Sequence, residues 1–262
     1  MNNEALSLRR VRVGKLPIDV VDFGGALDAI DRLVQARHGG TVFTPNVDHV
    51  VMAEHDEPFR SAYAGAALSL VDGTPVLWAS RLLRTPLPAK ISGSDLVMPL
   101  MERAAKRGYR VYFLGGAPGV ADLARSKLEQ ALPNIQIVGT DASRIDMRRD
   151  PHSADEVVER IQNAKPDLVL VALGAPKQEI WSHARIELLK PAVMIGVGAS
   201  LDFIAGIQKR APRWMSSSGL EWLYRLAQEP KRLATRYLLR DPEFCLILLR
   251  QLTQRGKPAE LS

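Results

Sequence analysis

The chain has one cysteine, no long apolar run and few aromatics. Cys245 has no partner for an internal disulfide, so a disulfide scaffold is excluded and a reducing compartment is the natural one. Its place in the run Phe244-Cys245-Leu246-Ile247 reads as a buried or lipid-facing thiol. Apolar stretches extend over only a handful of residues, far short of the roughly 20 that span a bilayer. The opening MNNEALSLRRVRVGKLP lacks the apolar centre of a signal peptide, and none is expected. No His/Cys cluster has metal-ligand spacing and no DxD triplet occurs, so neither a metal nor a cofactor is expected. The dinucleotide fingerprint GxGxxG is missing too, as are a GxSxG elbow and a Ser-His-Asp order, which leaves little support for a hydrolase.

What is present fits one sizeable core with an appendage. The 262 residues are 46% hydrophobic and 24% charged, the balance of an ordinary folded domain. The net charge of +6 is unevenly placed. From Gly206 onward 11 Lys and Arg face 5 Asp and Glu, whereas residues 1–205 hold 24 of each sign. The whole excess therefore lies in the last 57 residues, a segment suited to an anionic partner such as a phospholipid surface, a pyrophosphate or nucleic acid.

Residues 1–205 alternate β-branched apolar runs with amphipathic helical patterns, which predicts an α/β core with a mostly parallel sheet. Val11–Val13 and Ile18–Val21 read as short strands around Gly14-Lys15. Further strands are expected at Thr41–Thr44, Ala67–Val71, Arg110–Leu114, Ile135–Val138, Leu168–Leu173 and Ala192–Val197. Residues 206–262 form the second unit. Pro230 and Pro242 open short helices there, near Lys231–Leu239 and Glu243–Gln254, after one at Leu220–Gln228. Trp214, Trp222 and Tyr224 mix with Arg225, Lys231, Arg232, Arg236 and Arg240, a composition suited to a membrane interface.

Five polar or glycine-bearing turns follow the predicted strands: Thr44-Pro45-Asn46, Asp72-Gly73-Thr74-Pro75, Gly115–Gly119, Gly174–Gln178 and Gly198-Ala199-Ser200. In a parallel sheet all five emerge at the carboxyl edge, where open α/β sheets bind ligands. Asp72, before a glycine, suits a general base on a cleft floor, and equally suits capping the helix that begins near Pro75. Thr44 and Asn46 offer a hydroxyl and an amide for sugar or phosphate oxygens, or ordinary turn chemistry. Asp48 and His49 read as first-turn residues of the next helix, and the Gly115–Gly119 loop could cradle a phosphate.

The blocks TPNVDH (44–49), DGTPVLWASRL (72–82), KISGSDL (90–96), ALGAPKQE (172–179), GVGASLDFIAGIQKRAP (196–212) and GLEWLYRLAQEPKRL (219–233), in that order, resemble the WecG/TagA/CpsF family of bacterial glycosyltransferases. The resemblance covers roughly residues 10 to 240. It implies a Rossmann-like core and an inverting, metal-independent transfer of a sugar from a UDP-sugar to an undecaprenyl-diphosphate-linked sugar. N-acetylmannosamine, its uronic acid and glucose are the candidate sugars, and bacterial surface polysaccharide is the destination. It further implies that Asp72 is the base, with Thr44 and Asn46 beside it, Gln178 on the donor sugar and Asp202 near the nucleotide. Arg225, Arg232 and Arg236 would belong to an appendage that closes over the site and meets the membrane. Lys90 stands where relatives usually carry arginine; it keeps the charge and loses the bidentate fork. A cytoplasmic enzyme peripheral on the inner face of the membrane is implied, acting on no nucleic acid. The competing readings are a Rossmann-type nucleotide-sugar-modifying enzyme, which leaves the basic aromatic tail unexplained, and a nucleic-acid-binding protein, which leaves the five loops idle.

Overall fold

The computed structural model describes residues 6–143, 145, 151–212, 215, 220–228 and 230–254, without the side chains of 151–154, 221, 225, 232 and 239. The expectation at Trp214 lies outside the described residues.

The core is an α/β fold. Strands β1 (Arg10–Val13) and β2 (Leu16–Asp19) form an antiparallel hairpin. A six-stranded sheet follows, built from β3 (Gly40–Phe43), β4 (Leu68–Ser69), β5 (Arg110–Gly115), β6 (Gln136–Asp141), β7 (Leu168–Ala172) and β8 (Val193–Gly196). Its order is β4-β3-β8-β7-β5-β6, and every neighbouring pair is parallel. β3 and β8 are buried along their whole length, as a sheet covered on both faces requires. The covering helices are α1 (Phe23–Ala36), α2 (Val47–His55), α3 (Glu57–Ala64), α4 (Thr74–Leu82), α5 (Gly93–Arg107), α6 (Val120–Ala131), α7 (Pro151–Ala164), α8 (Lys177–Leu189) and α9 (Ser200–Ile204).

Local chemistry fixes where the helices near the sheet edge begin. Asp22 caps α1 by accepting the Gly25 N–H, and Asn46 caps α2 through His49 N–H. At α5 the Ser92 hydroxyl accepts the Asp95 N–H and donates to the Asp95 carboxylate at 2.6 Å, a reciprocal cap. The hairpin is tied to the sheet by Asp19, which is buried, pairs with Arg10 at 2.8 Å and accepts the Ser69 N–H at 2.7 Å. The strand expected over Ala67–Val71 pairs as a ladder only at Leu68–Ser69. Its backbone stays engaged beyond that, since Leu70 donates to Phe43 and Val71 accepts from Ile91.

The C-terminal segment carries α10 (Glu221–Gln228), α11 (Pro230–Thr235), a π-helical turn at Arg236–Arg240 and α12 (Glu243–Gln254). The helix read over Lys231–Leu239 is thus divided between an α and a π segment. Helix α12 lies on the core: Phe244 and Ile247 are buried in the same cluster as β1, β2 and α2. Each such burial contributes about 1.5–3 kcal/mol. Gln251 accepts the Gly14 N–H at 2.9 Å and donates to the Arg12 carbonyl at 3.0 Å. Gly14 has a φ of 58°, and a Cβ there would stand 2.9 Å from Val50 and 3.1 Å from Ile247. Conformation and the closeness of α12 both require glycine at that turn.

Candidate active site

The loops after β3 and β4 meet at the carboxyl edge. Asp72 N–H donates to the Pro45 carbonyl at 2.9 Å, so the two loops share one frame. The cap position of α4 is Gly73, at a φ of 100°, with no side-chain capping bond. Asp72 thus stands one residue before the cap position. It lines a cleft of about 560 Å³, along with Asn46, Gly73, Thr74 and Lys90 from the core.

The opposite wall comes from the C-terminal segment: Trp222, Arg236, Tyr237, Asp241, Pro242, Phe244 and Cys245. Cys245 is therefore exposed at the cleft. Trp222 meets Tyr237 edge-on, with ring centroids 5.9 Å apart, and the Arg236 guanidinium stands 5.4 Å from the Tyr237 ring centre. The appendage is latched to the start of α2. Arg236 donates to the Asn46 side-chain oxygen at 3.1 Å, and Arg236 and Arg240 each approach the buried Asp48 carboxylate at 3.3 Å. Asp48 is thereby engaged by two guanidinium groups. Burial pushes the Asp241 carboxyl up to about 6, against the pull of Arg236 and with the repulsion of Asp48.

Of the residues expected at the site, Asp72, Asn46, Lys90 and Arg236 converge on this cleft. Thr44 is buried behind it, its hydroxyl 3.4 Å from where a Cβ on Gly93 would stand. Gln178 is buried as well, its amide held between Glu179 and the Gly198 N–H. Asp202 lies in the first turn of α9, where its carbonyl accepts the Ile207 N–H, and it is not among the residues lining the cleft. The side chains of Arg225 and Arg232 lie outside the described residues. Tyr237, Asp241 and Phe244 also line the cleft, which their sequence did not announce; the Asp-Pro pair at 241–242 signals only a helix start. Among the described residues no three His, Cys, Asp or Glu side chains gather as a metal site. The cleft instead sets two carboxyls, Asp72 and Asp241, among two cations and an aromatic wall, an arrangement able to take a proton beside a bound anion.

Comparison with known proteins gives the family. The sequence pattern described as "Glycosyl transferase WecG/TagA/CpsF family" matches residues 11–258. An N-acetylglucosaminyldiphosphoundecaprenol N-acetyl-beta-D-mannosaminyltransferase of Bacillus spizizenii (strain W23) is 32% identical over 220 residues, covering 84% of this chain and 82% of the relative. The protein of the same name from Bacillus subtilis (strain 168) is 33% identical over 218 residues, covering 83% and 82%. The chain belongs to the WecG/TagA/CpsF family and is a glycosyltransferase.

Proposed function

We propose that this enzyme transfers N-acetylmannosamine from its UDP conjugate to N-acetylglucosamine carried on a polyprenyl diphosphate, with inversion and without a metal. The observation that carries the reading is that Asp72 lines one cleft with Lys90 and Arg236. The acceptor and sugar are taken from the names of the two Bacillus relatives.

In this mechanism Asp72 removes the proton from the acceptor hydroxyl as its oxygen attacks the anomeric carbon, on the face opposite the departing UDP. General-base removal of that proton contributes ~10²–10⁴-fold in rate. Lys90 and Arg236 neutralise diphosphate charge in the cleft, with Arg225 and Arg232 as further cations of the same segment. Trp222, Tyr237 and Phe244 supply an apolar wall for a sugar face or the first lipid units. None of the described helices is long and apolar enough to cross a membrane. A peripheral position at the inner membrane face, held by the basic C-terminal segment, brings the cleft to a lipid-borne acceptor.

A screen of UDP-sugars against a short prenyl-diphosphate N-acetylglucosamine acceptor tests the reading. Turnover with UDP-N-acetylmannosamine well above the other donors is expected. Exclusive use of UDP-glucose or a uronic acid donor would overturn the sugar, and inertness toward every UDP-sugar would overturn the donor class.

A further inference from the structure

The mechanism leaves one buried carboxyl of the core without a role. Glu179, in the first turn of α8, has no measurable exposure. Its Oε1 accepts from Gln178 Nε2 at 2.8 Å, and its Oε2 has no hydrogen-bond partner among the described residues. No basic side chain pairs with it among those residues. The group facing it from α3 is Tyr63, whose hydroxyl shares a hydrogen bond of 2.8 Å with His49 Nδ1. Burial holds His49 at about 3, with Arg236 adding to the shift, so that ring is neutral. Asp72 also acts on Tyr63, and His183 lies one turn further along α8. Burial raises Glu179 to about 7, against the hydrogen bond from Gln178.

The Gln178 amide is placed between two fixed groups. Its Oε1 accepts the Gly198 N–H at 3.1 Å while its Nε2 donates to Glu179. Turned over, the amide would set donor against donor at Gly198 and acceptor against acceptor at Glu179. Gly196 leaves the room it needs, since a Cβ there would stand 3.0 Å from Gln178 Nε2. Gly198 itself sits at a φ of 52° in the turn between β8 and α9, at the ligand-binding edge.

We propose that Glu179 is a positioning residue for donor binding: it orients the Gln178 amide so that its carbonyl fixes the Gly198 turn. This rests on the reading that the carboxyl-edge loops hold a UDP-sugar. A buried carboxyl with no cation beside it disfavours the ligand-free fold. A merely structural role for Glu179 would couple its removal to lost stability. A positioning role separates the two.

The experiment compares Glu179→Leu and Glu179→Gln with the wild-type full chain in three measurements: thermal midpoint, hydrogen exchange at the Gly198 amide without ligand, and UDP affinity by calorimetry. Glu179→Leu is expected to keep or raise the midpoint. It should also speed Gly198 exchange and bind UDP ~10-fold more weakly, the scale of one lost buried hydrogen-bond partner. Glu179→Gln keeps an acceptor oxygen and should recover most of both losses. Wild-type exchange and affinity in Glu179→Leu would overturn the proposal. So would a fall in midpoint that tracks the lost affinity, or a Glu179→Gln variant as impaired as Glu179→Leu. If Glu179→Leu does not fold, Gly196→Ala carries the test by crowding the same amide: faster Gly198 exchange supports the proposal and unchanged exchange overturns it. A wild-type protein that fails to bind UDP would sink the donor reading, while Gly198 exchange would still judge Glu179.

Discussion

Asp72, one residue before the Gly73 cap position of α4, is the proposed base. Asp72→Asn is expected to fold and to bind UDP like the wild type, yet to turn over at least ~10²-fold more slowly, as removal of a general base requires. Wild-type turnover in that variant would move the proton transfer to another group. The residue was legible in the sequence only as an ambiguity: an aspartate before Gly-Thr-Pro suits a base and a cap equally well. Gln178 was legible as a residue of the carboxyl edge. Its engagement was not, because neither the acceptor Glu179 nor the donor Gly198 N–H is marked by spacing. A pH prediction belongs to Asp241. Its carboxyl is raised to about 6, so the folded state holds that proton more tightly than the unfolded chain does. The associated stabilisation is present at low pH and is lost as pH rises from the ordinary carboxyl range through about 6. Asp241→Asn keeps the site neutral, so thermal unfolding should show a gain over wild type above that pH which shrinks toward acid. A gain of equal size at both ends would exclude titration of Asp241 as its cause.

Two elements decide how the cleft is closed. The first turn of α2 supplies Asn46 and Asp48 to Arg236 and Arg240, and α12 rests on α2 and the β1–β2 turn through Phe244, Ile247 and Gln251. Asp48→Asn leaves two guanidinium groups facing a neutral amide. It should weaken docking of the Arg236 turn by on the order of 1–3 kcal/mol, since the carboxylate is buried and its partners are partly exposed. Faster proteolysis of the C-terminal segment, with the core left intact, is the expected readout; an unchanged cleavage rate would show that the ion pairs contribute nothing to docking. The helix starts at Pro230 and Pro242 were legible because proline is tolerated in a first helical turn. The partner of α12 was not, for Phe244 and Ile247 have the same spacing whether they face lipid or protein. The parallel sheet and its five edge loops were legible because β-branched runs and helical periodicity alternate through residues 1–205. The shortness of β4 was not, because Leu70 bonds to the last residue of β3 and Val71 to Ile91 ahead of α5, partners that only the tertiary fold supplies.

At the scale of the whole molecule, charge and apolar exposure coincide at the C-terminal end. The entire +6 excess lies from Gly206 onward, where Trp222, Leu223, Leu238, Leu246 and Leu249 are exposed. Anionic lipid attracts such a surface by about 1 kcal/mol per Lys or Arg, and salt screens that attraction. Binding to anionic vesicles should therefore fall steeply as salt rises, and salt-independent binding would assign it to the apolar side chains alone. Arg225→Ala and Arg232→Ala separate anchoring from catalysis. Slower turnover on a short-chain, water-soluble acceptor is expected, because their proposed role is at the diphosphate; full activity there with lost vesicle binding would make the segment an anchor only. The most direct test of the whole is sugar transfer in excess EDTA from UDP-N-acetylmannosamine to a prenyl-diphosphate N-acetylglucosamine, with wild type and Asp72→Asn side by side. The predicted result is undiminished wild-type transfer and a variant at least ~10²-fold slower. Transfer that EDTA abolishes and magnesium or manganese restores, or equal rates for the two proteins, would contradict it.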